Sequence, residues 1–336
     1  MRQKPSSDQQ TSFKYKGRIY QVVEKLRIRG KLYLVVEKKG TRYKAFDVAT
    51  RAWCSIRLRQ EGVKYEMNLM QFAKLRNSSL PYTFDYFKDA KNKKEFLVQE
   101  WIPGYTLRHY LRRKLGGQPY FSAERSYYLI RGLVHGLNRL HEYGIFHGDI
   151  KPENLIVGDT KRLVMIDFGA AWSGARTRTR PDEKTRGYAS PEQWEGEKSV
   201  DHRADQFATS VVLYEMLTNE LPYGGRGSFG AHSLDHPRLV PPSKKNRAVW
   251  RSLDEVVMKG LSLNKDDRYE TSSDWLKEFN AAEPPRHISP GIILHYLSEG
   301  NVWEDIKAAI TEIHLRFMKA LSGSIYILRR EGRRDE

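Results

Sequence analysis

Between Phe13 and Arg59 apolar and polar residues alternate, and the alternation breaks near Gly17, Gly30 and Gly40. That pattern predicts short strands joined by turns. The string Val-Val-Glu-Lys stands at 22–25 and again at 35–38. Four residues are too few for a repeat architecture, and the two copies fit paired strands better. The period changes over Tyr65–Leu75, where Leu69, Phe72 and Leu75 share one side of a predicted helix, and Phe96–Ile102 returns to a short apolar strand. Beyond Pro103 and Gly104 helices take over. The clearest spans about Ser122–Tyr143, with Ser122 as N-cap and Leu129, Leu133, Leu137 and Leu140 at helical spacing. Another follows Asp201, with Phe207, Val211, Tyr214 and Leu217 apolar. Pro284, Pro285 and Pro290 mark a linker, and Ile306, Ile310, Ile313 and Phe317 give a last amphipathic helix that needs a surface to cover it. The expected organisation is a disordered basic tail over 1–12, a β-rich unit over 13–102, a larger helical unit over 103–282 and a helical extension over 283–336. The fold class is α+β.

Composition narrows the class without naming a function. Of 336 residues, 39% are apolar, which is enough for a sizeable core. Apolar runs such as Leu163–Ile166 are strand-sized, and Met1–Gln10 is polar, so neither a transmembrane segment nor a secretory signal is expected and the chain reads as cytoplasmic. The single Cys54 excludes an intrachain disulfide and a multi-cysteine metal site. The net charge is +17, and the first 100 residues, with 23 Lys and Arg against 10 Asp and Glu, hold +13 of it. This reads first as a solvated basic face, and the partner it suits is an acidic protein surface. Nucleic acid is not expected, because no nucleic-acid motif or interleaved aromatic pattern accompanies the charge.

Three separated strings carry candidate chemistry. The first is His147-Gly148-Asp149-Ile150-Lys151-Pro152-Glu153-Asn154, the second is Asp167-Phe168-Gly169, 18 residues after Asp149, and the third is Ala189-Ser190-Pro191-Glu192. Together they resemble the catalytic loop, metal-binding loop and Ala-Pro-Glu motif of the eukaryotic-like Ser/Thr protein kinase family. The resemblance covers residues from about 30 to about 282 and implies a two-lobed protein-kinase-like fold that uses ATP and Mg²⁺ on a protein substrate. It implies Asp149 as the base that accepts or orients the substrate hydroxyl proton, Lys151 as a point charge on the transferring phosphoryl group, and Asn154 and Asp167 as hard oxygen ligands for Mg²⁺.

His-Gly-Asp also occurs in small-molecule phosphotransferases, which makes them the rival within the reaction class. Lys151, the segment Thr185-Arg186-Gly187-Tyr188, Asp205 as a buried tie to the catalytic loop, and Arg268 as partner of Glu192 resemble the protein kinases instead. Thr185, seven residues before Glu192, implies the Ser/Thr class, its hydroxyl shaping the site with Asp149 and Lys151. Glu153 occupies a position near the substrate site. Gly148 replaces the arginine of His-Arg-Asp, which implies less need of a phosphorylated activation segment; Arg176-Thr177-Arg178-Thr179-Arg180 reads first as a solvated basic loop, with a phosphate partner as the alternative.

The N-terminal unit departs from the pattern. Arg57 stands where the family has a third-strand lysine, and Glu66 is its expected helix partner. The Gly-rich loop falls at Val35-Val36-Glu37-Lys38-Lys39-Gly40, where only the last glycine, Gly40, remains. Val35 and Glu37 weaken a backbone phosphate cradle, while Lys38 and Lys39 offer positive charge in its place. Gln99 takes the gatekeeper position, and Glu100-Trp101-Ile102 resembles the hinge whose backbone, at Glu100 and Ile102, meets adenine. The expected function is Ser/Thr phosphorylation at a rate lowered by Arg57. The alternatives are a pseudokinase serving as a binding module and a small-molecule kinase.

Overall fold

The structure is a computed structural model, and it describes residues 12–60, 77–89, 94–113, 118–159, 162–173, 187–195, 200–224 and 239–285. The predicted helix over Tyr65–Leu75 with Glu66, the segment around Thr185, the run Arg176–Arg180 and the C-terminal helix around Ile306–Phe317 lie outside the described residues.

The alternating N-terminal region forms the predicted strands. β1 (Ser12–Tyr15) and β2 (Arg18–Gln21) make a two-stranded hairpin. β3 (Glu24–Ile28), β4 (Lys31–Lys39), β5 (Arg42–Asp47), β6 (Ala52–Gln60), β7 (Thr83–Asp89) and β8 (Lys94–Glu100) build a six-stranded sheet of order β3-β4-β5-β6-β8-β7. The turns Lys16-Gly17 and Arg29-Gly30 both have positive φ at each residue, the geometry that lets a two-residue hairpin follow the strand twist. The repeated Val-Val-Glu-Lys strings are paired in part: 35–38 lies within β4, but of 22–25 only Glu24 and Lys25 lie in β3, with Glu24 opposite Val35.

Alternation divides this sheet into two faces. Tyr33, Val35, Tyr43, Ala45, Cys54, Ile56 and Val98 form the buried core of the small lobe. The opposite side chains of β5 and β6, namely Arg42, Lys44 and Phe46 with Trp53, Ser55 and Arg57, share the other face. The β1–β2 hairpin covers one end of that face: Phe13 and Tyr15 pack on Phe46 with ring centroids 5.0 and 4.7 Å away, and Tyr20 meets Trp53 at 4.8 Å.

The large lobe begins with β9 (Gly104–Thr106), which pairs with β11 (Leu155–Gly158), itself paired with β12 (Leu163–Met165). Short α1 (Leu107–Leu111) precedes α2 (Ala123–Glu142), whose Ser122 side chain accepts the Arg125 N–H as expected of an N-cap. β10 (Ile145–Phe146) pairs with β13 (Trp172–Ser173). After α3 (Pro191–Glu195) comes α4 (Arg203–Thr218), in which every residue from Ala204 to Leu217 is buried. A helix buried all round has to satisfy polar side chains internally. Gln206 does so by donating to the Tyr269 carbonyl at 3.0 Å and accepting the Tyr269 N–H at 3.2 Å.

Against α4 pack α5 (Pro242–Lys245) and α6 (Arg251–Gly260), while α7 (Ser272–Ala281) packs on α2 and α6. The α6 crossing requires Gly260, since a Cβ there would stand 2.1 Å from Ser210 Oγ. Tyr127 of α2 stacks on Phe279 of α7, with centroids 5.3 Å apart and planes 9° apart, and its hydroxyl donates to the Phe279 carbonyl. Among the described residues no helix is long and apolar enough to cross a membrane.

Candidate active site

The string His147–Asn154 is the connection between β10 and β11, closed by a short 3₁₀ turn at Pro152–Asn154. Its backbone is held from below by Asp205 on α4, which is fully buried. One Asp205 oxygen accepts the His147 N–H at 2.8 Å and faces His141 Nε2 at 2.9 Å, and the other accepts the Gly148 N–H at 2.7 Å. Burial raises the Asp205 pKa, but the hydrogen bond from His141 and the charge of the neighbouring histidines outweigh it and leave it lowered. An ionised carboxylate accepts only, so His141 Nε2–H is the donor. Gly148 has φ +68°, a left-handed conformation that side chains resist, so glycine there relieves strain as well as removing a charge. Its carbonyl accepts from Gln193 Nε2 at 3.1 Å, which ties the loop to α3.

Three of the expected site residues meet in one cluster. Lys151 Nζ stands 3.0 and 2.9 Å from the two oxygens of Asp149. Asn154 Nδ2 donates to Asp149 Oδ2 at 2.8 Å and to the Asp149 carbonyl at 2.9 Å. With its amide nitrogen turned to Asp149, Asn154 presents Oδ1 as the atom able to ligate a hard cation. The Asn154 carbonyl accepts the Ile166 N–H at 2.8 Å, so the β11–β12 pairing brings the residue before Asp167 against the end of the catalytic loop. Asp167 has φ +68°, and Phe168 beside it is buried, its ring 4.8 Å from that of His147. An oxygen pair from Asn154 and Asp167 suits Mg²⁺, so the donor set fits the metal that the resemblance implies.

Arg57 reaches this loop. Its Nη1 lies 2.7 Å from Asp167 Oδ1, and Arg42 from the neighbouring strand bonds the other oxygen through Nη2. Sequence reasoning missed Arg42. The signal lay in the strand register, since Arg42 stands directly opposite Arg57. Lys39 is not brought to Asp167: its Nζ pairs with Glu37 at 2.7 Å, and Lys38 pairs with Glu24 at 3.2 Å. Gly40 sits in the turn between β4 and β5 with φ +57°.

At the hinge the Glu100 N–H donates to the Tyr82 carbonyl at 2.7 Å, and its side chain bonds Arg162 at 3.3 Å. Ile102 is buried, and among the described residues no backbone group bonds its N–H or carbonyl.

Glu153 is tied down by a residue outside the three strings. Arg108 of α1 bonds Glu153 at 2.8 Å, Glu215 of α4 at 2.7 Å and the Tyr188 hydroxyl, which donates to Glu215 at 2.5 Å. Arg268, as expected, forms a bidentate pair with Glu192 at 2.7 and 2.9 Å, both side chains buried. Thr185 and Glu66 lie outside the described residues.

Comparison with known proteins agrees with this geometry. The family model for the protein kinase domain matches residues 29–279. A serine/threonine-protein kinase PknB from Mycobacterium tuberculosis is 33% identical over 201 residues, 56% of this chain and 31% of that protein. PknB from Mycolicibacterium smegmatis is 35% identical over 187 residues, 53% of this chain and 29% of that protein. A probable serine/threonine-protein kinase from Clostridium acetobutylicum is 27% identical over 251 residues, 71% and 37% respectively. The matched segments thus span about a third of these relatives' length. With the His147–Asn154 and Asp167–Gly169 strings and the buried Arg268–Glu192 pair in place, and a family model matching most of its length, this chain belongs to the protein kinase domain family.

Proposed function

We propose that this chain is a Ser/Thr protein kinase, transferring the γ-phosphoryl group of ATP to a protein hydroxyl. The observation that carries the reading is the Asp149–Lys151–Asn154 cluster, held on a backbone that Asp205 fixes from the core. Asp149 orients the acceptor hydroxyl and takes its proton. Lys151, already on that carboxylate, places positive charge where the transferring group becomes anionic. Asn154 and Asp167 would hold Mg²⁺, which supplies charge neutralisation between the phosphates. The hinge backbone at Ile102 supports an adenine site, and Glu100 shapes the same segment. Thr185 is proposed as the hydroxyl that defines the acceptor side, and Glu66 as a partner of Arg57.

Arg57 in place of lysine keeps the charge but spreads it over a larger planar group, and a displacement of about 1 Å in such a site lowers the rate by about 10²-fold. A slow enzyme is therefore the reading. The basic first hundred residues suit an acidic protein surface, and a cytoplasmic setting suits the need for ATP.

The test is incubation of the full chain with γ-labelled ATP, Mg²⁺ and a panel of Ser- and Thr-containing peptides, followed by acid hydrolysis. Label on phosphoserine or phosphothreonine that disappears in Asp149→Asn supports the reading. Wild type that labels nothing beyond Asp149→Asn makes the chain a pseudokinase. Label recovered only on an added small-molecule alcohol or amine makes it a small-molecule kinase.

A further inference from the structure

Arg42 opens β5, and the residue directly across the sheet from it is Arg57 of β6. Like charges in direct opposition weaken a sheet unless an anion lies between them. Asp167 is that anion, one oxygen on Arg57 and the other on Arg42. The same sheet face carries Lys44, whose Nζ lies 4.5 Å from the Trp101 ring at the hinge. A line of cations therefore runs from the hinge to the metal-binding loop. The β4–β5 hairpin meanwhile offers little to a triphosphate, because Val35 and Glu37 stand where glycines would expose amides and the Lys38 and Lys39 ammoniums are bound to Glu24 and Glu37.

We propose that Arg42 is a second phosphate-binding residue of the nucleotide site, forming with Arg57 a two-guanidinium receptor for the phosphate oxygens of ATP. The inference rests on the kinase reading above. A guanidinium presents a planar fork that matches two phosphate oxygens, and the cross-strand pair holds two such forks side by side on a rigid sheet. Both oxygens of Asp167 are engaged by these forks. Moving the forks onto phosphate releases the carboxylate that would hold Mg²⁺, so nucleotide and metal reinforce each other's binding. The side chains of β5 and β6 thereby take over what a glycine cradle does with backbone amides.

The experiment measures binding of adenosine, of ATP and of ATP with Mg²⁺ by titration calorimetry, using the full chain as wild type, Arg42→Gln and Arg42→Lys, with thermal melts of each ligand-free protein. Arg42→Gln is expected to weaken ATP binding by about 10- to 100-fold, the scale of a charge-assisted hydrogen bond, while adenosine binding changes less than about twofold. Arg42→Lys should recover part of the loss. Arg42 is 45% exposed, so the fold should tolerate both changes; if Arg42→Gln fails to fold, the ratio of ATP to adenosine affinity in Arg42→Lys decides. Equal losses for adenosine and ATP make Arg42 structural and overturn the proposal. So does unchanged ATP binding, or tighter ATP binding with Mg²⁺, which would make Arg42 a competitor for Asp167. Those outcomes leave the kinase reading standing, whereas a wild type that binds neither adenosine nor ATP overturns both.

Discussion

Asp205→Asn changes one atom type in the core and should weaken the whole large lobe. Three donors converge on the two Asp205 oxygens: the His147 N–H at 2.8 Å, the Gly148 N–H at 2.7 Å and His141 Nε2 at 2.9 Å. An amide keeps one acceptor and turns an NH₂ toward whatever faced the other oxygen. If the oxygen stays with His147 and His141, the Gly148 N–H meets another donor in a site with no water access. A buried donor left unsatisfied costs about 1–3 kcal/mol, and the two surviving bonds lose their charge assistance at about 1 kcal/mol each. The sum is about 3–5 kcal/mol, which for a domain of this size lowers Tm by on the order of 10 °C. Thermal and urea melts of the two proteins at pH 7 give the difference directly.

The pH dependence supplies an independent check. Because folding lowers the Asp205 pKa, its contribution is present above the ordinary aspartate value of about 3.9 and is lost as the pH falls through the folded value. The stability gap between wild type and Asp205→Asn should therefore shrink on acidification. A gap under about 1 kcal/mol at pH 7, or one that widens in acid, would refute the assignment of Asp205 as the ionised anchor of the catalytic loop.

Two further substitutions or probes test the surroundings. Arg268→Met strands the buried Glu192 carboxylate and should destabilise the protein by about 3–5 kcal/mol in urea melts, with the double variant Arg268→Met, Glu192→Gln recovering part; a single variant as stable as wild type would show that the pair is not holding α3. Burial, with the nearby Asp47 charge adding to it, pushes the Cys54 thiol pKa up to about 12, so an aromatic disulfide reagent at pH 8 should label it only after unfolding in guanidinium; rapid labelling of the native protein would mean that the small-lobe core opens readily.

The polar cluster of the His147–Asn154 loop was legible in the sequence because its contacts are local. Asp149, Lys151 and Asn154 stand within six residues, and a short turn suffices to bring their polar atoms together. The α2 helix was equally legible, because Ser122 and the Leu129–Leu140 spacing act through neighbours three and four residues away. Alternation with Gly17, Gly30 and Gly40 likewise determined the strands and turns of the small lobe, since a two-residue hairpin turn depends on its own backbone angles. What the tertiary structure decided lies in long-range partners. The sequence marks Phe207, Val211, Tyr214 and Leu217 as apolar positions of this helix, but α4 is buried on every side, because Tyr269, Arg108 and the His147–Gly148 backbone satisfy Gln206, Glu215 and Asp205 from distant parts of the chain. Lys38 and Lys39 looked like the loop cations, and the sheet gave them Glu24 and Glu37 instead, while strand register put Arg42 against Arg57 on one aspartate. Periodicity along the chain reports which side of an element is apolar. It cannot report which charged group the next strand places opposite, because that depends on register, and register is set only when the whole sheet packs on its core.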